Sequence, residues 1–575
     1  MPRLVWTLAS LMSISFLTGT AVADDLPTDA YTRINGFAHQ SRSATIARHG
    51  IVATSHPLAS QTGLDVLMAG GNAADAAIAA NAMLGVVEPM SCGIGGDLFV
   101  LYWDAKTARL YGLNASGRSP KRLTRQVFAD RGLDEIPLDG SLSWSVPGCV
   151  DGWETLRDRF GTKSLSELLQ PSIDAATEGA PVTQVIAGYW KGAEAALKTH
   201  ESSAATFLLD GRAPREGELF RNPDLAATYR RIAEQGVADF YKRETAGKLV
   251  AFSDAEGGFF SKEDLAEHRS EWVEPISTNY RGYDVWELPP NGQGIAALQM
   301  LNILEAYDLK SLGRHNPQFW HLLVEAKKLA FADRARFYAD PAFGDIPLKW
   351  LISKEYAEQR RSLISADHAA VGVAAGDPRL SMGDTIYLSV VDKDRNCCSL
   401  IQSNFHGFGS KLVPEGLGFA MQNRGALFAL DDEHPNRLEP AKRPFHTIIP
   451  AMVTKAGRPW FCFGVMGGDM QPQGHVQVLV NLVDFGMNVQ HAGDAARFEH
   501  TGSASPTGRP EAASGGTIEL EHGVPESVAE ALRRKGHTVT RAFNGGGYQG
   551  ILIDEANGTL HGATEARKDG VAAGY

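Results

Sequence analysis

The sequence predicts an α/β protein, and three observations point there. Its 43% hydrophobic and 21% charged residues describe a chain that buries a core, where a disordered chain would be poorer in apolar residues. Alanine- and leucine-rich stretches with helix caps dominate the first part of the chain. β-branched runs separated by tight turns dominate the last part. Glycine is over-represented, at 60 of 575 residues against a usual share of about 7%. It follows no three-residue period, so collagen is excluded. The length suits several domains or one large α/β unit.

Residues 24–50 are polar and irregular, a lead-in segment. Gly50–Thr54 reads as a short strand. Ala59–Ala69 has helical composition and stops at Gly70-Gly71, and Asn72 caps an alanine-rich helix to about Val87. Leu98–Trp103 and Leu110–Leu113 read as paired strands. Trp153–Glu178 is helical, interrupted at Gly161 and Pro171, and 185–270 is mostly helical. Tyr283–Leu288 is a strand; Gly292–Tyr307 and Pro317–Tyr338 are long helices. Residues 366–383 have no period and a surface-loop composition. Strands follow at Thr385–Asp392, Cys397–Ser403, Ile449–Thr454 and Pro459–Phe463, then a helix at His475–Phe485 and a strand through Ile551–Ile553. No repeat of fixed period occurs.

The net charge of −12, with no basic block, argues against nucleic acid as a partner. Arg3, the apolar run Leu4–Leu17 and Ala21-Val22-Ala23 form the pattern of a secretory signal cut before Asp24. No later stretch reaches about 18 uninterrupted apolar residues, so no membrane anchor is expected after its removal. The expected location is the periplasm of a Gram-negative cell, or otherwise the extracellular space. Five cysteines (Cys92, Cys149, Cys397, Cys398, Cys462) cannot all pair and show no zinc spacing. They read as small buried hydrophobes, and neither a metal nor a cofactor is expected.

Several motifs dissolve on inspection. Gly545–Gly550 satisfies G-x-G-x-x-G, but a strand follows it where a dinucleotide site needs a helix. Asp392–Asn396 resembles the start of a calcium loop but lacks its glycine and distal glutamate, and reads as a hairpin turn. Asn114 and Asn557 head Asn-x-Ser/Thr triplets.

The informative stretch is 383–418, GDTIYLSVVDKDRNCCSLIQSNFHGFGSKLVPEGLG. A loose loop ends at Asp384 and a strand opens with Thr385. A threonine at a strand start is ordinary by itself. Freed by chain cleavage, it becomes a nucleophile whose own α-amine, with a pKa of about 7.7, takes the hydroxyl proton.

The strings GIVATSHPLAS (50–60), GGNAADAAIAA (70–80), VEPMSCGIGGDLF (87–99), SVPGCVDGW (145–153), AFADR (330–334), GDTIYLSVVD (383–392) and MGGD (466–469) resemble, in order and across nearly the whole mature sequence, the γ-glutamyltranspeptidase family. The resemblance implies a four-layer αββα sandwich of the N-terminal-nucleophile hydrolase type. It also implies self-cleavage between Asp384 and Thr385, giving a signal at 1–23, a large fragment at 24–384 and a small one at 385–575 that stay associated. Thr385 would be the nucleophile, Ser403 would orient its amine, and Gly467 and Gly468 would form the oxyanion hole.

The substrate positions depart from the family. Ser116 stands where an arginine clamps the substrate carboxylate, with Arg118 two residues on. Phe405, Arg424 and Leu427 stand where Asn, Gln and Asp hold the α-amine, and His446-Thr447 replaces a Ser-Ser pair. The family's usual Thr-Thr-His reads Thr385-Ile386-Tyr387, and the segment that forms a lid in some members is about ten residues shorter by this comparison. Losing an acid and gaining Arg424 reverses the local charge, which disfavours an ammonium and favours an anion. Such a pattern resembles a divergent branch that includes the oxamate amidohydrolases and uncharacterised transpeptidase-like proteins, and cephalosporin-acylase-type relatives imply that the scaffold accepts other acyl groups.

The expected activity is hydrolysis, or transfer, of γ-glutamyl or a related small carboxylate-bearing acyl group from a small amide or peptide through an acyl-enzyme. The alternatives are an amidase of non-γ-glutamyl acyl groups and a non-catalytic ligand-binding member of the fold. Arg424, Arg118 and His446 are the candidate carboxylate ligands; surface ion pairs for the arginines and a loop hydrogen bond for His446 are the structural alternatives.

Overall fold

A computed structural model describes residues 41–373, 384–503, 505–541 and 545–575. The expected signal segment and most of the loop before Asp384 lie outside the described residues. Fourteen strands make two seven-stranded sheets. In chain order they are β1 Thr45–Ala47, β2 Ile51–Thr54, β3 Asp97–Asp104, β4 Arg109–Ala115, β5 Glu271–Val273, β6 Ile276–Tyr280, β7 Tyr283–Glu287, β8 Asp384–Val391, β9 Cys397–Phe405, β10 Ala451–Lys455, β11 Arg458–Met466, β12 Gly547–Asp554, β13 Thr559–Thr564 and β14 Val571–Gly574. One sheet runs β14-β2-β8-β9-β3-β4-β5 and the other β1-β13-β12-β11-β10-β7-β6. Every pairing in both is antiparallel.

The layering follows from the period-2 alternation of the strands. On β8, Ile386, Leu388 and Val390 join a core shared with the helices α1 (Pro57–Met68) and α2 (Ala73–Val87). Tyr387 and Val391, one residue out of phase, join a core of Phe99, Leu101, Ile401, Met452, Cys462 and Ile551 between the two sheets. Outside the second sheet lie α3 (Gly294–Leu304), α4 (Pro317–Phe337) and α5 (Met470–Val483), with a third core. The order is helix, sheet, sheet, helix, the expected αββα sandwich. A small three-stranded sheet with α6 (Glu526–Arg534) packs at the edge of the third core.

Most expected elements are present, with informative shifts. The lead-in holds a short edge strand, β1, that pairs with β13. Asn72 closes a capping box with Asp75, and α2 is buried on every side, which explains its all-apolar composition. Pro171 does not break its helix, Leu165–Glu178. The helix expected from His475 begins at Met470; Pro472 stands in its first turn, where a missing N–H costs nothing. Asn114 is buried and donates to Asn291 Oδ1 (2.8 Å), so it is no glycan acceptor in the folded chain, whereas Asn557 is exposed. All five cysteines are buried and free. Among the described residues no helix is long and apolar enough to cross a membrane.

Part of the glycine excess sits at the 93–96 turn, against the end of β9. A Cβ on Gly96 would collide with the Ser403 carbonyl and Asn404 Oδ1. Gly192, exposed in the helix Gln184–Leu197, has open space around its Cβ position. Gly96→Ala should therefore lower the unfolding free energy by about 1–3 kcal/mol or more. Gly192→Ala should raise it by about 0.5–1 kcal/mol. Chemical denaturation of both variants checks the pair.

Candidate active site

The end of β8 and the end of β9 meet at a bulge. Asp384 pairs with Phe405 and Ile386 with Gln402, so the single residue Thr385 opposes two, Ser403 and Asn404. A bulge of this kind re-aims side chains at the end of a ladder. Thr385 is buried, and its Oγ1 donates to Ser403 Oγ (3.3 Å). Ser403 Oγ also accepts from the Phe405 N–H (2.8 Å). Phe405 itself is held at φ +79°, a strained conformation for a bulky residue, and turns the chain out of the sheet. With Thr385 still joined to Asp384, this is the geometry of an uncut chain.

Gly467 and Gly468 connect β11 to α5 with φ of +115° and +57°. Their amide N–H groups donate to no partner among the described residues. A web of buried groups braces this turn. Arg334 on α4 grips Asp469 with both ends of its guanidinium (2.5 and 2.9 Å), the bidentate geometry that only arginine offers. Its Nη1 also donates to Gln293 Oε1 (2.7 Å), and Gln293 Nε2 donates to the Gly468 and Thr447 carbonyls (2.9 and 2.7 Å). Thus the turn, α4 and the segment around Thr447 are one unit.

Arg424 stands at the centre of what remains. It is fully buried, and Nη1 donates to Thr447 Oγ1 (2.7 Å). Nε and Nη2 have no hydrogen-bond partner among the described residues. The guanidinium lies over the Phe405 ring, 4.5 Å from its centroid, a cation–π contact. Burial pushes its pKa down to about 9, with Asp97 opposing, so it is a cation at neutral pH. Phe405 also lines a cleft of about 540 Å³ with Leu138, Phe428, Thr507 and Arg509.

The other expected carboxylate ligands are occupied elsewhere. His446 is fully buried and its Nε2 faces Asp97 Oδ2 (3.0 Å), while Nδ1 accepts from the Ile448 N–H (3.4 Å). That pattern makes Nε2 the donor. Burial, with Arg424 second, pushes its pKa down to about 4 against Asp97; His446 is a neutral link and not an anion ligand. Arg118 is partly exposed and pairs with Glu271 (2.7 Å). It lines a different cleft with Lys121, His268 and Glu271, and its pair with Glu271 is the ion pair that stood as its structural alternative. Ser116 is buried and donates to Asn114 Oδ1 (2.7 Å) while accepting from Asn291 Nδ2 (3.2 Å).

Sequence reasoning gave no role to Asp97, Gln293, Arg334 or Asp469. Asp97 Oδ1 accepts from the Gly117 N–H (2.9 Å) and Gln422 Nε2 (3.0 Å) as well as holding His446 through Oδ2, so it ties four segments together. The strings GIGGDLF, AFADR and MGGD contain three of the four. Their roles emerge only from pairings that the chain order does not reveal.

The chain matches the model of the Gamma-glutamyltranspeptidase family over residues 59–575. It is 37% identical to a glutathione hydrolase-like proenzyme of Bacillus subtilis, over 92% of this chain and 99% of that one. It is 33% identical to the oxamate amidohydrolase proenzyme of Klebsiella pneumoniae, over 93% and 100%. The crystal structure of a cephalosporin acylase from Bacillus halodurans superposes with a TM-score of 0.86 at 43% identity, over 94% and 98%. The sandwich, the threonine at the head of its central strand and these likenesses agree: the chain belongs to the γ-glutamyltranspeptidase family of N-terminal-nucleophile enzymes.

Proposed function

We propose that the chain cuts itself between Asp384 and Thr385, and that Thr385 then hydrolyses amides whose acyl group carries a carboxylate held by Arg424. In the cut, Thr385 Oγ1 attacks the Asp384 carbonyl, and the peptide C–N bond breaks to leave an ester. The broken C–N bond leaves the Thr385 α-amine free, and water then hydrolyses the ester to release the Asp384 carboxylate and restore the Thr385 hydroxyl. Fragments 24–384 and 385–575 result, and they remain interleaved because β8 and β9 lie between β2 and β3 in one sheet.

In turnover the α-amine takes the hydroxyl proton as Oγ1 attacks the substrate amide carbon. Ser403, within hydrogen-bond reach of Oγ1, orients this pair. The developing oxyanion is received by the Gly467 and Gly468 N–H groups, aimed in advance by the Gln293–Arg334–Asp469 web. The proton passes to the leaving amine, and water (or a second amine) then opens the acyl ester. Export by the 1–23 segment would place this chemistry outside the cytoplasm.

The observation that carries the acyl assignment is Arg424, a buried guanidinium with two nitrogens that find no partner among the described residues. A buried cation without a partner costs several kcal/mol, and a substrate carboxylate removes that cost. The ammonium of a γ-glutamyl group would be drawn into the same space and repelled. Oxamate- and glutaryl-type amides should therefore be turned over better than matched γ-glutamyl amides. Arg424→Gln should cut kcat/KM for the anionic acyl groups by at least about 30-fold, the lower end expected for one partner of a buried charge pair, and leave an uncharged acyl amide far less affected. Steady-state kinetics on that panel checks this; equal turnover of γ-glutamyl amides by the unaltered enzyme would contradict it.

The pH profile is a second expectation. Burial pushes His406 down to about 3 and His446 to about 4, so neither changes charge between pH 5 and pH 9. The acid limb of kcat/KM then reports the Thr385 α-amine alone. Activity should rise with pH as that amine loses its proton, with one ionisation near its ordinary value of about 7.7. A pH–rate profile with an additional histidine-like step between pH 6 and 7 would contradict the assignment.

A further inference from the structure

Away from the site just described, two histidines and a glutamate converge in the interior. His321 and Glu325 lie one turn apart on the same face of α4. His537 arrives from the turn that follows α6, next to Gly536 at φ +95°. All three are buried, and their ligand atoms lie within 4.8 Å of one another. His321 Nδ1 and His537 Nε2 are 2.8 Å apart, and His537 Nε2 is 4.0 Å from Glu325 Oε1.

We infer that His321, Glu325 and His537 form a binding site for a zinc-like divalent metal ion that pins α4 to the C-terminal subdomain. Two imidazoles and one carboxylate are the donor set of a three-ligand zinc site with a fourth position left for water. At Zn–N lengths of about 2.0–2.1 Å, tetrahedral ligands stand about 3.3 Å apart. The two nitrogens need to part by about 0.5 Å, and the carboxylate, 4.0 Å from His537 Nε2 and within 4.8 Å of the other ligand atoms, to close by about 0.7–1.5 Å. The outer contacts that orient metal ligands are already in place. His321 Nε2 lies 2.7 Å from the Ser365 carbonyl, which leaves Nδ1 as its acceptor nitrogen. Glu325 Oε2 accepts from the Ala370 N–H (3.1 Å). Burial pushes both histidines down, His537 to about 3, so both are neutral at pH 7, the form that binds metal.

Two lysines oppose the ion, Lys535 and Lys328, whose charges both act on His321 and His537. Lys328 Nζ donates to Glu325 Oε1 (3.0 Å) and to the Ala370 carbonyl (2.9 Å). Metal binding breaks the first of these contacts and keeps the second. Sequence spacing hides the set, because His537 lies 216 residues after His321. If the chain is cut before Thr385, the site joins the two fragments; the site itself needs no cut and is independent of that reading.

The test is calorimetric titration of the tag-free, chelator-treated full protein with ZnCl2, with CoCl2 absorption as a geometric readout. The same titrations are run on the uncut Thr385→Ala chain. The expected result is one ion per chain in both, with the intense visible bands of four-coordinate cobalt. His537→Ala and Glu325→Gln should weaken binding at least tenfold while amide hydrolysis is retained. Lys328→Met should tighten binding, an effect that a misfolded variant does not produce. Binding that is absent from both proteins, or unchanged in His537→Ala, or cobalt spectra of six-coordinate form, would overturn the inference.

Discussion

The site depends on the pairing of Asp384–Val391 with Cys397–Phe405. A nucleophile that is to use its own α-amine has to be a chain end, yet here it is placed at the head of a central strand with neighbours on both sides. The bulge at Thr385 reconciles these demands. One residue facing two lets Ser403 turn its hydroxyl toward both Thr385 Oγ1 and the Phe405 N–H, and it ends the ladder at the residue where a cut would fall. The close seat of the 93–96 turn against Ser403 and Asn404 explains why glycine is needed there.

Charge organises the rest. Arg334 and Arg424 are both wholly buried guanidinium groups, yet they face opposite situations. Arg334 meets the Asp469 carboxylate with two parallel contacts and braces the Gly467-Gly468 turn. Arg424 has one neutral contact, Thr447 Oγ1, and an aromatic ring beneath it. A matched pair of this kind is structural. A buried cation with spare donors carries an unmet demand for an anion, which is why the proposed acyl carboxylate is assigned to Arg424. Asp97, the carboxylate that acts on Arg424, has its own oxygens taken by Gly117, Gln422 and His446, so it steadies the charge without quenching it.

Much of this was legible in the residues. The β-rich run Thr385–Asp392 read as a strand, and the ordered family-like strings implied the αββα sandwich. Thr385, Ser403, Gly467 and Gly468 were singled out by their likeness to the family, and Arg424 by its departure from it. What stayed hidden was pairing across long chain separations. Arg118 and Arg424 look alike in a sequence, and only Glu271, 153 residues from Arg118, separates a surface ion pair from a buried cation. His446 read as a ligand because its partner Asp97 stands 349 residues earlier. The start of α5 was masked by Pro472, whose helix-breaking reputation does not apply in a first turn.

The account rests on Thr385 becoming a chain end. Mass spectrometry with N-terminal sequencing of the purified protein, beside Thr385→Ala, tests it most directly. The unaltered protein should give two fragments, the smaller beginning Thr385-Ile386-Tyr387, and the variant a single unbroken chain. An unaltered protein that stays whole while hydrolysing amides, or a small fragment beginning at any other residue, would contradict it.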